Sequence, residues 1–171
     1  MAIDFNQNYF QLFELENSFD VNYESLEKKY LSFQKSFHPD KFVNASDQEK
    51  RISLQIISYI NEAYETLKND YLKSIYLLKI NGYEIDDQNT TISDPDFLMH
   101  QMELREELEE IEKSESTELK KIFLEKIKKY KIDCLNDFKE NFNRQYYDKA
   151  SKKVKEMKFY ISIENEIVRM D

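Results

Sequence analysis

One glycine and two prolines in 171 residues constrain this chain more than any other feature. Glycine supplies the left-handed backbone of tight turns, and proline pre-sets turn positions. A chain almost without either has few places to reverse, so it must be built from long helices joined by a few loops. The length is compatible with one domain or two small ones. Hydrophobic residues make up 40%, and Phe and Tyr contribute 12 each, so aromatic rings can fill a modest core. The expected fold class is all-α.

Apolar spacing divides the chain. YFQLFEL, Tyr9 to Leu15, reads as a short apolar turn or helix. From near Asn22, Tyr23, Leu26, Tyr30, Phe33 and Phe37 recur at 3, 4, 3 and 4, one stripe of an α-helix. Pro39 ends that helix, because proline lacks a backbone donor and pushes His38 out of the α region. A second helix starts near Ser46, which has capping-box spacing to Glu49. Its stripe is Ile52, Ile56, Ile60, Ala63 and Leu67. The two helices should pack as an antiparallel hairpin. A further apolar segment, Tyr71 to Ile80, precedes Gly82, the only glycine, at a helix-ending position.

Residues Tyr83 to Ser93 are polar and irregular. Asp94 and Pro95 then restart a helix as N-cap and first helical residue. Three amphipathic helices follow, from about Pro95 to Ile111, Thr117 to Phe142 and Gln145 to Val168. Phe123, Ile127, Tyr130, Cys134 and Phe138 form the stripe of the second. Tyr147, Ala150, Val154, Met157 and Ile161 form that of the third. This pattern predicts an antiparallel three-helix bundle. The expected organisation is therefore a unit over 1–80, a linker over 81–93 and a bundle over 94–171. No internal repeat or low-complexity tract is evident.

The net charge of −9 argues against a nucleic-acid surface, which needs clustered Lys and Arg, and suits a protein that binds other proteins. A single cysteine, Cys134, forms no internal disulfide, makes no zinc site by itself and suits a reducing compartment. The N-terminal MAIDFNQNYF has no basic region and no long apolar run. The longest apolar clusters, such as IYLLKI, are far too short to cross a bilayer.

His38-Pro39-Asp40 stands at the end of one amphipathic helix, heading a short loop into its partner. An acid–base reading has no nucleophile: Cys134 lies on an apolar stripe, and His100 is in the other half. With one glycine there is no phosphate-binding glycine loop, and no metal-ligand cluster is spaced for an ion. The expectation is a non-enzyme with no cofactor. A simpler reading stays open, in which Pro39 stops the helix, Asp40 caps a turn and His38 is incidental. Against it, Lys28, Lys29 and Lys35 lie off the apolar stripe, so a polar loop adjoins a basic helix face suited to protein docking.

YFQLFEL, then a helix, then FHPDKF, then a helix ending INEAYETLK, resembles a J-domain. J-domains bind DnaK-type heat-shock ATPase chaperones and stimulate their ATP hydrolysis. The resemblance implies that His38, Pro39 and Asp40 trigger the chaperone and that Lys29 and Lys35 belong to the basic face that meets it. Glu24 and Glu27 dilute that charge, so the loop ranks above the individual lysines.

FLMHQMELREELEEIEK carries a second patch. At 100° per residue, Phe97, Leu104, Leu108 and Ile111 share one narrow face, the expected bundle core. Leu98, Met99 and Met102 point roughly 100–200° away from Phe97 by the same geometry. Arg105 and Glu106 lie along that second side, with Glu103 beside it. Flexible methionines there suit an adaptable protein-binding surface. Alternatively, Leu98 and Met99 pack on the linker or the first half. In the last helix Phe159, Ile163 and Ile167 form an offset stripe. Either the three helices wrap more fully, or Phe159 joins an external patch.

DFLMHQMELREELEEIE resembles the segment opening the C-terminal domain of HscB-type iron–sulfur cluster co-chaperones, which place a J-domain before a three-helix bundle. That resemblance covers nearly the whole chain. It implies a protein that binds an IscU-type scaffold, delivers it to an HscA-type chaperone and stimulates the chaperone's ATPase. The implied scaffold-binding residues are Leu98, Met99, Met102, Glu103, Arg105, Glu106 and Phe159. Met102 stands where the family more often has leucine, a volume-conserving change. His100 stands where an acidic residue is usual; its angle puts it near the core edge, without a role. The cysteine-rich segment of some eukaryotic relatives is absent, which fits a bacterial, cytoplasmic form better than a mitochondrial one. A general J-domain co-chaperone with a different client, or a purely structural helical adaptor, are the competing readings.

Overall fold

The computed structural model describes residues 3–85 and 94–170. Among these the regular structure is entirely helical. The chain divides into two compact units, Met1–Asn81 and Gly82–Asp171. Residues 86–93 of the expected linker lie outside the described residues.

In the first unit α1 (Tyr9–Leu12) is a single turn held by reciprocal bonds between Asn8 and Gln11. It leads to α2 (Tyr23–Phe37), a short 3-10 turn (Pro39–Phe42), α3 (Asp47–Lys68) and α4 (Asp70–Ile80). Ser46 and Glu49 form the expected capping box at the start of α3. Asn69 ends α3 and caps α4, so the chain bends there without glycine. α2 and α3 are antiparallel: Tyr64 donates to Glu27 (2.7 Å), and both Tyr30 and Gln34 donate to Asn61 (3.1 and 2.8 Å). Phe10, Phe13, Leu26, Phe33, Ile60 and Leu67 fill the space between these helices. Each such side chain contributes roughly 2–3 kcal/mol when fully buried.

Lys73 is also in this core, fully buried. Its ammonium donates to the Tyr23 hydroxyl (2.7 Å) and to Asp70 (2.9 Å), and lies 4.3 Å from the Phe19 ring centroid. Burial of a charge is tolerable here because a carboxylate, a hydroxyl and two ring faces replace its water.

The second unit comprises α5 (Pro95–Ser114), α6 (Thr117–Asn143) and α7 (Tyr147–Arg169). α6 and α7 run antiparallel, joined by Lys120 to the Met170 carbonyl, Lys131 to Glu164 and Lys153 to Asp137. α5 meets α6 through Lys126–Glu107 and α7 through Arg105–Glu166. The core holds Phe97, Leu104, Leu108 and Ile111 as expected, with Phe123, Ile127, Phe138, Ala150 and Val154.

The helices end as a glycine-poor chain must. Gly82 takes φ +82° just past α4, and a Cβ there would meet nothing within 4 Å, so the backbone conformation is what needs glycine. Three glutamyl-type residues do the same work elsewhere: Glu14, Glu115 and Gln145 sit at φ 58°, 51° and 61°. Each costs about 1–2 kcal/mol of left-handed strain.

Two stripe residues are exposed against expectation, Ile52 and Tyr23, and several others, Ile161 among them, are half-buried. Ile52 is 45% exposed, and Ser53 takes the inward position, donating to the Lys50 carbonyl. Two successive steps of four from Ile60 back to Ile52 drift about 80° from the buried row. Tyr23 is 48% exposed, because its hydroxyl reaches across to Asp70. In α7 the buried row continues from Met157 to Tyr160, Ile163 and Ile167, leaving Ile161 half-buried. The three helices therefore wrap more fully than a single stripe implies.

Candidate functional site

His38-Pro39-Asp40 forms a corner between α2 and the 3-10 turn, with His38 and Asp40 exposed and Pro39 half-buried. The His38 N–H closes α2 by donating to the Gln34 carbonyl (3.0 Å), and its backbone then turns extended (φ −57°, ψ 132°), as the following proline demands. Pro39 opens the 3-10 turn, where no backbone donor is needed. The imidazole caps that turn: the Asp40 N–H donates to His38 Nδ1 at 3.3 Å. In the neutral ring Nε2 therefore carries the proton. The Asp40 carboxylate lies 3.5 Å from Nδ1, and its side chain is 87% exposed. The corner thus presents one ring donor and one carboxylate to solvent.

The lysines of α2 divide. Lys35, in the last turn, and Lys28 are exposed. Lys29 instead turns back to Glu14 (2.5 Å) and lies over the Phe33 ring. Its charge is taken up by Glu14, so positive charge near the corner rests on Lys35 and on Lys41 of the 3-10 turn. Glu14, which holds Lys29, was not legible as a partner, since fifteen residues separate the two.

On α5 the two faces separate cleanly. Phe97 is 9% exposed and Leu104 1%, whereas Leu98 is 41% and Met99 and Met102 are each 63% exposed. Glu103, Arg105 and Glu106 are exposed beside them. Phe159 reaches the edge of this patch from α7: its ring packs on Phe97 (5.9 Å) and carries the Arg105 guanidinium 5.6 Å from its centroid. Glu166 holds the other side of Arg105 at 3.7 Å and accepts from Ser162. Glu166 escaped the sequence reading, although it stands seven residues after Phe159, on the same face of α7. His100 is at the core edge as expected, edge-on to Tyr130 (5.0 Å) and 3.8 Å from Glu103.

Cys134 is buried; its thiol donates to Glu156 (3.4 Å). Burial, with the Glu156 carboxylate beside it, pushes the thiol up to about 12, so it is no thiolate nucleophile at neutral pH. Among the described residues no group of three His, Cys, Asp or Glu is placed to hold a metal ion. No described helix is long and apolar enough to cross a membrane.

Residues 93–168 match the family model of the HSCB C-terminal oligomerisation domain. The Co-chaperone protein HscB homolog of Shewanella halifaxensis is 36% identical over 169 residues, covering 96% of this chain and 97% of that one. Its counterpart in Neisseria meningitidis is 39% identical over 159 residues, covering 93% and 96%. Among solved structures, the chaperone HscB of Vibrio cholerae superposes with a TM-score of 0.86 at 33% identity, covering 95% of this chain and 96% of that one. The human co-chaperone protein HscB gives 0.91 at 29% identity, covering 99% and 84%.

Proposed function

This chain belongs to the HscB co-chaperone family, and from that premise we propose that it is a two-site adaptor for iron–sulfur cluster assembly. The unit Met1–Asn81 acts as the J-domain, and His38, Pro39 and Asp40, with Lys35 and to a lesser degree Lys29 beside them, engage an HscA-type ATPase chaperone and stimulate it. The bundle of α5, α6 and α7 holds an IscU-type scaffold through Leu98, Met99 and Met102, rimmed by Glu103, Arg105, Glu106 and Phe159. ATP is hydrolysed by the chaperone, so the chain itself performs no catalysis and works in the cytoplasm.

One observation carries the scaffold reading: Leu98, Met99 and Met102 are left to solvent on a helix whose other apolar residues are buried. An apolar centre with a charged rim is the anatomy of a protein interface. The loop reading draws support from the exposure of His38 and Asp40 and from the His38 cap on the turn that Pro39 opens. A chain that binds both partners raises their effective concentration, and a fixed loop biases the ATPase between its states.

The experiment is steady-state ATP hydrolysis by the chaperone with this protein alone, then with scaffold. Added scaffold should raise the rate further than this protein does alone. His38→Gln should abolish stimulation and keep scaffold binding; Leu98→Ala with Met102→Ala should do the reverse. Equal loss of both activities in both folded variants would refute two separate sites. Stimulation indifferent to scaffold would favour a J-protein with another client.

A further inference from the structure

We infer that the chaperone contact begun by His38-Pro39-Asp40 continues into an apolar groove between that corner and the first turns of α3, where it takes aliphatic side chains of the same ATPase chaperone. The inference rests on the proposed role of the corner and extends it to residues with no assigned part.

The groove is a cavity of about 330 Å³ walled by Pro39, Asp40, Phe42, Val43 and Leu54. Phe42 also lines a smaller hollow of about 180 Å³, together with Ile52, Ile56 and Glu49. Val43, Leu54 and Ile52 are 63%, 53% and 45% exposed. The core does not need them, since Phe33, Phe37, Ile56, Ile57 and Ile60 already close it. Val43 and Leu54 share one concavity and Ile52 lines the neighbouring one, an arrangement unlike isolated surface apolar residues.

The occupant follows from the walls. Pro39 and Asp40 belong to both the corner and the groove, so a protein seated on the corner lies over the groove's mouth. The lining is apolar apart from Asp40 and Lys50, one charge of each sign, which selects against a strongly charged ligand. Ser53, in the lining, already donates to the Lys50 carbonyl (2.8 Å), so its hydroxyl is engaged within the chain. What fits is an aliphatic side chain beside a polar contact, as at the centre of a protein interface.

The test titrates full-length protein into the HscA-type chaperone and follows ATP hydrolysis. Val43→Ser with Leu54→Ser should raise the concentration for half-maximal stimulation about tenfold, the loss of roughly 1.4 kcal/mol, and leave scaffold binding unchanged. Val43→Ile with Leu54→Met should stay within about twofold of the parent, because these swaps keep the apolar surface. A serine variant whose titration overlays the parent's, while His38→Gln is inactive, would overturn the groove and spare the corner. A fully stimulating His38→Gln chain would overturn the corner and the groove with it.

Discussion

Lys73 and Cys134 illustrate how single residues here are governed by their surroundings rather than by their type. Lys73 is a charged residue in a core, kept there by Asp70, Tyr23 and Phe19. Cys134 is a nucleophile in name that its surroundings silence. Its folded value stands near 12 against an ordinary 9, which lowers the thiolate fraction about a thousandfold at pH 8. Iodoacetamide should therefore barely label native protein at pH 8 and label it readily in strong denaturant. Equal rates in the two conditions would contradict the burial. The linkage has a sign: the folded state favours the neutral thiol, so this contribution to stability is whole below pH 9. It falls as the pH rises toward 12.

At the scale of elements, helix ends do the organising. α3 depends on Ser46 and Glu49. The Glu49 N–H donates to Ser46 Oγ (3.4 Å), and the Ser46 N–H and hydroxyl donate to the Glu49 carboxylate (2.9 and 2.7 Å). Those two bonds hold the Glu49 carboxyl below its usual range, so the box is complete above that range and loosens as acid protonates Glu49. Ser46→Ala should cost about 1 kcal/mol, read as a lower urea midpoint for the first unit with an unchanged slope. No loss at neutral pH would mean that α3 is fixed by packing alone. Because α3 carries Leu54 on one side of the 3-10 turn and Ile60 in the core, its start also sets the groove beside His38-Pro39-Asp40.

For the whole molecule, the proposal needs both sites on one chain. Mixing His38→Gln protein with Leu98→Ala/Met102→Ala protein should therefore fail to restore the joint effect of scaffold on ATPase, although each partner site is present in the tube. Full recovery in trans would show that tethering adds nothing and that the effective-concentration argument is wrong. Much of this architecture was legible in one dimension. The scarcity of glycine and proline required long helices, the 3.6-residue spacing placed Leu26, Phe33, Phe97, Leu104 and Phe138 inside, and the Ser46, Asp94 and Gly82 signals fixed helix ends through local backbone chemistry. The same angular argument put Leu98, Met99 and Met102 outside, because a helix face is a property of sequence once the helix exists. Contacts between distant segments were not legible: that Glu14 takes up Lys29, that Glu166 and Phe159 hold Arg105, that Lys73 is buried. Each depends on how two helices meet, and no periodicity within either one encodes that.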